Sequence, residues 1–275
     1  MTDAFRKELE VARRLAREAG ALILEVGRRG YAVEEKPAGG GPVTEADLRA
    51  NDLIERGLRE AFPGDGVVTE ESRARDEGAA RCWYVDPLDG TKEFIRGNGQ
   101  FAVHIGLAVE GRARLGVVYQ PASDRLWAGV VGGPCFLEEG GERRTVHVSA
   151  ADPSSIVLAV SRSHPMRRLD LLASELGIEK VVRYGSVGLK CAMVAEGAAH
   201  LYVHPSARSY RWDACAPEAV VRAAGGVLVD LAGNPYRYGE GELQNRRGIL
   251  VCSRELLPAV LPVAERIGRE SGLLG

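Results

Sequence analysis

The 275-residue chain lacks the features that mark secreted, membrane-spanning or polymer-binding proteins. It has no apolar run long enough to cross a bilayer, and its first residues form no apolar signal region, so neither secretion nor membrane insertion is expected. The formal net charge of -2 argues against a nucleic-acid polymer as partner and favours a small substrate. We therefore expect a cytoplasmic protein, either a monomer or a homodimer.

Cysteine is scarce as well, and its pattern excludes two structural roles. The five cysteines are odd in number, widely spaced and mostly in apolar surroundings: Cys82, Cys135, Cys191, Cys215 and Cys252. This pattern predicts reduced thiols in the core rather than a disulfide framework or a zinc site. A hydrophobic content of 45% gives a chain of this length enough apolar residues for a large core in one or two domains.

Hydrophobic periodicity predicts helices followed by strands in the first half of the chain. Apolar residues at helical spacing predict one helix over residues 4–28, ended by Gly27 and Gly30, and a second helix from Thr44 to Pro63. From about residue 81 the pattern changes to short apolar runs between glycine-rich turns. These runs predict an antiparallel sheet with strands at 83–85, 101–109, 115–119, 126–131 and 145–148.

Beyond residue 150 the predicted strands and helices alternate, which is typical of an α/β domain. Strands are predicted at 156–160, 181–184, 201–203, 227–230 and 249–252, and helices at 166–176, 187–196, 214–224 and the C-terminus. We therefore expect two parts, an α+β part over residues 1–150 and an α/β part over 151–275, with a site in the cleft between them.

The most informative segment reads W-Y-V-D-P-L-D-G-T-K-E-F over residues 83–94. Asp86 and Asp89 follow an apolar strand, and their spacing lets one carboxylate bridge two hard cations while the other binds one of them, with the Leu88 carbonyl facing inward. Gly90 and Thr91 then offer N–H groups and a hydroxyl to a phosphate. The segment predicts metal-assisted phosphoryl chemistry, although the same letters also describe an ordinary turn.

Two further acidic elements stand at predicted strand or helix ends. Glu70 follows the apolar pair Val67-Val68, and Asp213 precedes a helical pattern. If these carboxylates gathered around Asp86, each close pair would repel by roughly 4 kcal/mol at about 4 Å and an effective dielectric of about 20. Only cations make such a cluster tolerable, so we expect a metal site. Taken alone, Asp213 equally fits a helix N-cap.

The three acidic motifs together resemble the inositol monophosphatase superfamily, whose members share a Glu-Glu pair, a D-P-[IL]-D-G-T run and a later W-D. Here they are Glu70-Glu71, residues 86–91 and Trp212-Asp213, and the resemblance extends over nearly the whole chain. It implies a mixed α/β fold layered as an αβαβα sandwich.

The resemblance also implies a set of metal ligands. Glu70, Asp86 and the Leu88 carbonyl would hold one Mg²⁺, and Asp86, Asp89 and Asp213 a second, so that Asp86 is the bridge. A third, weaker ion would lie near Glu70, and Mn²⁺ could replace Mg²⁺. Sensitivity to lithium and to calcium is implied as well.

The catalytic roles are implied in the same way. Glu70 and Thr91 would orient the attacking water, with Asp47 accepting from Thr91. The family's V-T-x-A-D motif stands at residues 43–47, although Thr44 to Asp47 alone fits a helix-capping box. Lys36 and the glycines at 39–41 could form a flap that carries a cation over the site, or merely a solvated turn.

Four segments resemble one branch of the superfamily, the 3'(2'),5'-bisphosphate nucleotidases. They are the K-E-F-I extension at 92–95, S-R-S-H at 161–164, G-S-V-G-L-K at 185–190 and W-D-A-C-A-P-E at 212–218. A nucleotide with two phosphates carries a charge near -4, and the metals neutralise only the scissile end, so the other phosphate needs cationic and N–H donors.

The implied substrate ligands lie in both parts of the chain. They are Gly90, Thr91, Ser161, His164, Ser186, Lys190 and Asp213. Ser186 should stand at a helix N-terminus, where the dipole favours anions. Lys190 could instead be a solvated helix lysine and His164 a loop histidine. His204 stands where several nucleotidases have arginine, and Arg208 or Arg211 could compensate.

From these residues we predict a Mg²⁺-dependent phosphatase of sulfur metabolism that converts adenosine 3',5'-bisphosphate (PAP) to AMP and phosphate, with activity on the sulfated parent nucleotide (PAPS). Metals are needed because phosphate monoesters hydrolyse extremely slowly in water. An inositol-1-phosphatase, or another sugar-phosphate phosphatase, is the alternative within the superfamily. A phosphonucleotide-binding protein without activity is the alternative from another class.

Overall fold

Helix α1 (Arg6–Arg29) and helix α2 (Glu45–Ala61) pack against each other and cover one face of a large sheet. The computed structural model describes residues 5–36, 41–72, 78–149, 155–163, 167–239 and 241–275. Both helices are amphipathic, and their buried positions are mainly alanine, leucine and isoleucine, which lets them approach the sheet closely. Between them, β1 (Val33–Glu35) and β2 (Pro42–Thr44) form a short antiparallel pair.

The large sheet has seven strands in sequence order, with one parallel pair at its start and antiparallel pairs elsewhere. Its strands are β3 (Gly66–Thr69), β4 (Arg81–Asp89), β5 (Ala102–Val109), β6 (Arg112–Gln120), β7 (Arg125–Val130), β8 (Cys135–Glu139) and β9 (Glu142–Val146). A short helix, α3 (Thr91–Ile95), follows β4 directly.

The second sheet has five strands in the order β11-β10-β12-β14-β13 and mixes parallel with antiparallel pairs. Its strands are β10 (Val157–Ser161), β11 (Lys180–Tyr184), β12 (Leu201–His204), β13 (Gly226–Val229) and β14 (Ile249–Ser253). The helices of this half are α4 (Arg167–Glu175), α5 (Val187–Ala195), α6 (Arg211–Ala223) and α7 (Leu257–Glu270).

Three apolar clusters stack these elements into five layers. The first joins α1 and α2 to the large sheet, the second places α5 and α6 between the two sheets, and the third packs α4 and α7 on the outer face of the small sheet. The order is helix, sheet, helix, sheet, helix. The αβαβα sandwich implied by the sequence is therefore confirmed.

Two paired glycines bring α6 close to the large sheet. Gly106 of β5 and Gly116 of β6 are register partners, and a Cβ on either would overlap the backbone of α6 at Ala216. Any larger residue would push α6 away from the sheet. This close approach matters because α6 begins at Arg211 and carries Asp213 in its first turn, next to the end of β4.

The helices and most strands were predicted within a few residues, but several elements were not. Helix α1 passes through Gly27 and ends at Gly30, and α6 begins at Arg211 rather than at residue 214. The predicted strand 145–148 is β9, which runs from Glu142 to Val146. The pair β1 and β2, strand β3, helix α3 and strand β8 were missed.

Strand β8 was missed because two glutamates interrupt its apolar pattern. Glu138 nevertheless lies buried in the sheet, where its carboxylate pairs with the guanidinium groups of Arg13 and Arg17 from α1. A buried carboxylate with two charged partners is tolerated, whereas an unpaired one is costly.

The remaining structural expectations have mixed outcomes. All five cysteines are buried and free, as predicted. Among the described helices, none combines the length and apolar composition that a bilayer-spanning helix requires. A boundary near residue 150 falls within 150–154, outside the described residues, so the division into residues 1–150 and 151–275 stays a prediction.

Candidate active site

The predicted site residues converge where β4, α3, α5 and α6 meet. A cavity of about 480 Å³ opens there between the two halves of the chain. Its wall includes carboxylates and hydroxyls of the first half, together with polar side chains of the second half: Glu70, Asp89, Thr91, Ser161, Ser186, Lys190, His204, Arg208 and Asp213. A cavity lined by residues from both parts of the chain therefore lies where the site is predicted.

Strand β4 runs through the Asp-Pro-Leu-Asp segment rather than stopping before it. The pairing with β5 is regular up to Asp86 and resumes at Asp89, with a register shift between them. The Leu88 N–H donates to Oδ1 of Asp86 at 3.0 Å, and the Leu88 carbonyl lies 3.3 Å from the Thr91 hydroxyl. Across this irregularity a carboxylate oxygen of Asp86 and one of Asp89 come within 4.8 Å of each other, and bulges next to active sites commonly re-aim side chains in this way.

Asp86 and Asp213 lie within hydrogen-bonding contact at the centre of the acidic cluster. Burial and the nearby charges of Glu70, Asp89 and Asp213 raise the pKa of Asp86 well above its usual range. Burial and the charges of Asp89 and Glu70 do the same for the pKa of Asp213. The backbone N–H of Tyr210 donates to Asp213 at 2.6 Å, so this residue caps α6 from its third position.

Asp89 is held by groups from the opposite half of the molecule. The Ser186 hydroxyl donates to its Oδ2 atom at 2.6 Å, and the Gly188 N–H donates to the same oxygen at 3.1 Å. Both donors belong to the first turn of α5, where Ser186 is the N-cap and also accepts from the Leu189 N–H. Ser186 thus stands at a helix N-terminus, as predicted, and positions a carboxylate there.

Sequence reasoning missed His104, which packs beneath this carboxylate. Its Nε2 atom lies 3.2 Å from Oδ2 of Asp89, and burial lowers the pKa of the imidazole. Ligand atoms of Asp86, Asp89 and His104 all lie within 4.8 Å of one another. Gly188 contacts the ring so closely that a Cβ would overlap it. The available signal was the lone polar residue in the otherwise apolar strand β5.

Asp47 both caps helix α2 and accepts a hydrogen bond from Thr91, the two roles that the sequence left as alternatives. Its Oδ2 atom accepts from the Thr44 N–H at 2.8 Å and the Thr44 hydroxyl at 2.6 Å, which completes a capping box at the start of α2. Its Oδ1 atom accepts from the Thr91 hydroxyl at 2.9 Å. Burial raises the pKa of Asp47 even though these hydrogen bonds oppose the shift. A capped carboxylate therefore fixes Thr91.

The Glu70-Glu71 pair binds Lys36. The ammonium lies 2.6 Å from Glu70 and 2.5 Å from Glu71. Burial would lower the pKa of Lys36, but the charges and hydrogen bonds of the two glutamates outweigh it and raise that pKa. Burial and the charge of Glu70 raise the pKa of Glu71 to about 7. Within the expected flap, positions 39 and 40 lie outside the described residues, and Gly41 lines the cavity.

Lys190 is buried, so it is not a solvated helix lysine. Its ammonium donates to the carbonyls of Tyr184 at 3.5 Å and Gly185 at 3.2 Å, and to that of Ser186. Burial lowers its pKa to about 8. The three donors of an ammonium group are thus directed at the loop before α5. His164 lies outside the described residues.

Of the two arginines considered as replacements near His204, only Arg208 lines the same cavity as His204. Arg211 lines a neighbouring cavity of about 240 Å³ with Gln244 and Asn245.

The acidic cluster could bind a metal ion. The carboxylates of Asp86, Asp89 and Asp213 lie close enough to raise the pKa values of Asp86 and Asp213, which means that protons or cations must offset their charge. Carboxylate oxygens suit hard divalent cations, and the His104 imidazole adds a nitrogen beside them. The fold and this cluster together define a layered α/β protein with a carboxylate-rich centre.

The chain belongs to the inositol monophosphatase family, whose model matches residues 6–269. It is 40% identical over 229 residues to the 3'(2'),5'-bisphosphate nucleotidase CysQ of Escherichia coli (strain K12), covering 82% of this chain and 91% of that protein. The structure of the extragenic suppressor protein suhB from Bartonella henselae superposes with a TM-score of 0.80 at 26% identity, covering 94% of this chain and 98% of that one. The structure of CysQ from Bacteroides thetaiotaomicron superposes with a TM-score of 0.77 at 28% identity, covering 91% of this chain and 98% of that one.

Proposed function

We propose that this protein is a Mg²⁺-dependent phosphatase that removes the 3'-phosphate of PAP, giving AMP and phosphate. The observation that carries the proposal is that Thr91, fixed by Asp47, shares one cavity with the acidic cluster and with polar side chains of the other half. The identity to nucleotidases named CysQ supports the substrate. The sulfated parent nucleotide PAPS fits the same proposal.

The proposed metal ligands follow from the gathered oxygens. Glu70, Asp86 and the Leu88 carbonyl would hold one ion, and Asp86, Asp89 and Asp213 a second. A third, weaker ion would lie near Glu70, and Mn²⁺ could take the place of Mg²⁺. When bound, such ions lower the pKa of a coordinated water and neutralise the reacting phosphate.

The chain's own residues would orient the attacking water. Because the Thr91 hydroxyl donates to Asp47, the lone pairs of the Thr91 oxygen can accept a hydrogen bond from a water in the cavity. Asp47 cannot turn away, since Thr44 holds its other oxygen. Glu70 would accept from the same water. Gly90 and Thr91, at the start of α3, would present donors to the reacting phosphate.

The second phosphate would be bound by polar groups of the other half of the chain. Ser161 and Arg208 line the cavity and can donate to an anion, and we assign His164 to the same group from its sequence. The Ser186 hydroxyl, predicted to bind substrate, already donates to Asp89, so we assign it to holding that carboxylate. For Lys190 the contacts favour a positioning role, because its ammonium already donates to the loop that carries Ser186. Arg208 is then the cation that replaces the arginine expected at His204.

A comparison of two substrates tests the proposal. We expect kcat/KM for PAP to exceed that for inositol 1-phosphate by at least about tenfold, the scale of one charged hydrogen bond. A preference for inositol 1-phosphate would support an inositol-1-phosphatase instead. Tight binding of PAP without phosphate release would support a phosphonucleotide-binding protein. Lithium sensitivity, a role in sulfur metabolism, a cytoplasmic location and a monomeric or homodimeric state remain predictions.

A further inference from the structure

The K-E-F extension after the phosphate-binding turn places a buried carboxylate beside the cavity. Glu93 is only 2% exposed and lines the cavity together with Ser163. It accepts from the Ser163 hydroxyl and the Asn98 amide, with Arg96 at 3.4 Å. These donors outweigh burial and lower its pKa. Glu93 is therefore a fully partnered anion.

The contact between Glu93 and Ser163 joins the two halves of the molecule. Glu93 lies in α3, directly after the large sheet, and Ser163 follows β10 of the small sheet. Arg96 donates to the same serine hydroxyl from the α3 side. Because Ser163 lies on the cavity wall next to Ser161, the last residue of β10, Glu93 fixes the position of that part of the wall.

A second set of hydrogen bonds, made by Gln100, also joins the two halves of the molecule. The Oε1 atom of Gln100 accepts from Arg162 at 2.7 Å and from the Gly185 N–H at 2.9 Å. The backbone N–H of Gln100 donates in turn to Asn98, which also donates to Glu93. Segment 93–100 thus holds the loops that follow β10 and β11.

The packing leaves no room for these loops to adjust. A Cβ on Gly185 would overlap both the Gln100 carbonyl and the Glu93 side chain. Close packing of this kind transmits a displacement rather than absorbing it. Loss of the Glu93 carboxylate should therefore release Ser163 and the loop after β10. Lys190 would still hold the carbonyls of Gly185 and Ser186, which keeps Ser186 on Asp89.

We propose that Glu93 is a positioning residue for substrate specificity, which holds Ser163 so that the loop after β10 fits a substrate with a second phosphate. A direct contact between Glu93 and that phosphate is excluded by charge, since both are anionic. This inference rests on the proposed function. It gives a role to the K-E-F extension at residues 92–94, which contributes none of the proposed metal ligands.

The test compares Glu93→Ala, Ser163→Ala and the double variant on PAP and on inositol 1-phosphate with Mg²⁺ present. We expect each single variant to lower kcat/KM for PAP by about tenfold, mainly through KM, and the double variant to be no worse than either single one. Turnover of inositol 1-phosphate should stay within about twofold. Glu93→Gln, which keeps one acceptor oxygen, should retain part of the activity on PAP. Glu142→Ala, at an exposed position of β9, serves as the matched control.

Four outcomes would overturn this role. Equal losses on both substrates would make Glu93 a support of the whole site, and additive losses in the double variant would show that the contact with Ser163 is irrelevant. Unchanged PAP kinetics in Glu93→Ala would exclude Glu93 alone while leaving the proposed function intact. A wild-type protein that does not hydrolyse PAP would refute the proposed function, and this role with it. If Glu93→Ala does not fold, the kcat/KM values of Ser163→Ala on PAP and on inositol 1-phosphate test the same role.

Discussion

The Thr91 hydroxyl donates to Oδ1 of Asp47 at 2.9 Å, while Thr44 occupies the other oxygen of the same carboxylate. Helix α2 thereby fixes the rotamer of the first residue of α3. A hydroxyl that donates to a fixed carboxylate presents its lone pairs in one direction, which suits the orientation of a water molecule.

Thr91→Ala should lower kcat by about two orders of magnitude with little change in KM, because orientation of the water matters chiefly in the transition state. Thr91→Ser, which keeps the hydroxyl, should retain most of the activity. Steady-state kinetics on PAP provide the measurement. A change confined to KM would make Thr91 a simple phosphate ligand.

Asp86→Asn should abolish nearly all turnover while the protein still folds, because Asp86 is the proposed bridge between two ions. In the chelated protein the same change should raise Tm, since it removes one of several carboxylates whose repulsion is reflected in the raised pKa values of Asp86 and Asp213. Phosphate release and thermal unfolding are measured on the same preparation. Normal turnover by this variant would remove Asp86 from the metal site.

The stability of the chelated protein should fall as pH rises. The pKa values of Asp86 and Asp213 are higher in the folded protein than in the unfolded chain, so the folded state binds more protons above about pH 4. Glu71, with a pKa of about 7, extends this loss toward neutral pH. Thermal unfolding at about pH 5.5 and about pH 8 should show a lower Tm at the higher pH, and excess Mg²⁺ should remove most of the difference. A chelated protein that is more stable at the higher pH would contradict this sign.

Lys36→Gln should bind divalent cations more tightly than the wild type. The Lys36 ammonium neutralises Glu70 and Glu71 at 2.6 and 2.5 Å, so it competes with a cation for the same charge. We expect an increase in Mg²⁺ or Mn²⁺ affinity of roughly tenfold by calorimetry. Lys180→Gln, which removes an exposed lysine of β11, should leave the affinity unchanged. Weaker binding in Lys36→Gln would show that Lys36 supports the cation instead.

Lys190→Met should reduce turnover of PAP and of inositol 1-phosphate alike. Its ammonium holds the carbonyls of Gly185 and Ser186, and Ser186 in turn holds Asp89, so the loss reaches the shared metal ligands. Methionine keeps the length of the side chain and tolerates burial. Steady-state kinetics on both substrates distinguish a positioning role of Lys190 from direct binding of the second phosphate. A loss restricted to PAP would establish the direct phosphate contact first expected from the sequence.

The acidic residues of the site could be predicted because three acidic motifs in one order resemble a single superfamily, although Asp213 and Asp47 each also fit a helix cap. The dual role of Asp47 could be anticipated only as two alternatives, since the capping box and the Thr91 contact use different oxygens of one carboxylate. The groups that hold Asp89 in place were not predictable. Ser186 and Gly188 meet that carboxylate through the packing of α5 on the large sheet, which joins residues 97 and 99 positions apart in the sequence. His104 meets it from β5, the strand paired with β4.

In the fold, too, the elements that depend on contacts between distant residues could not be predicted from the sequence. Amphipathic helices and apolar strands carry their own periodicity, whereas β8 depends on Glu138 meeting two arginines of α1, and β1 is an exposed strand without a hydrophobic signal. The extension that carries Glu93 was visible as a motif, but its role became apparent only from the contact with Ser163.

The most direct test of the proposed function is phosphate release from PAP by the purified protein, with the nucleotide product identified, first in excess Mg²⁺ and then in excess chelator. We expect one AMP per phosphate released in Mg²⁺, loss of turnover in chelator and recovery when Mg²⁺ is restored. Full turnover in excess chelator, or tight PAP binding without any phosphate release in Mg²⁺, would contradict the assignment of a metal-dependent bisphosphate nucleotidase.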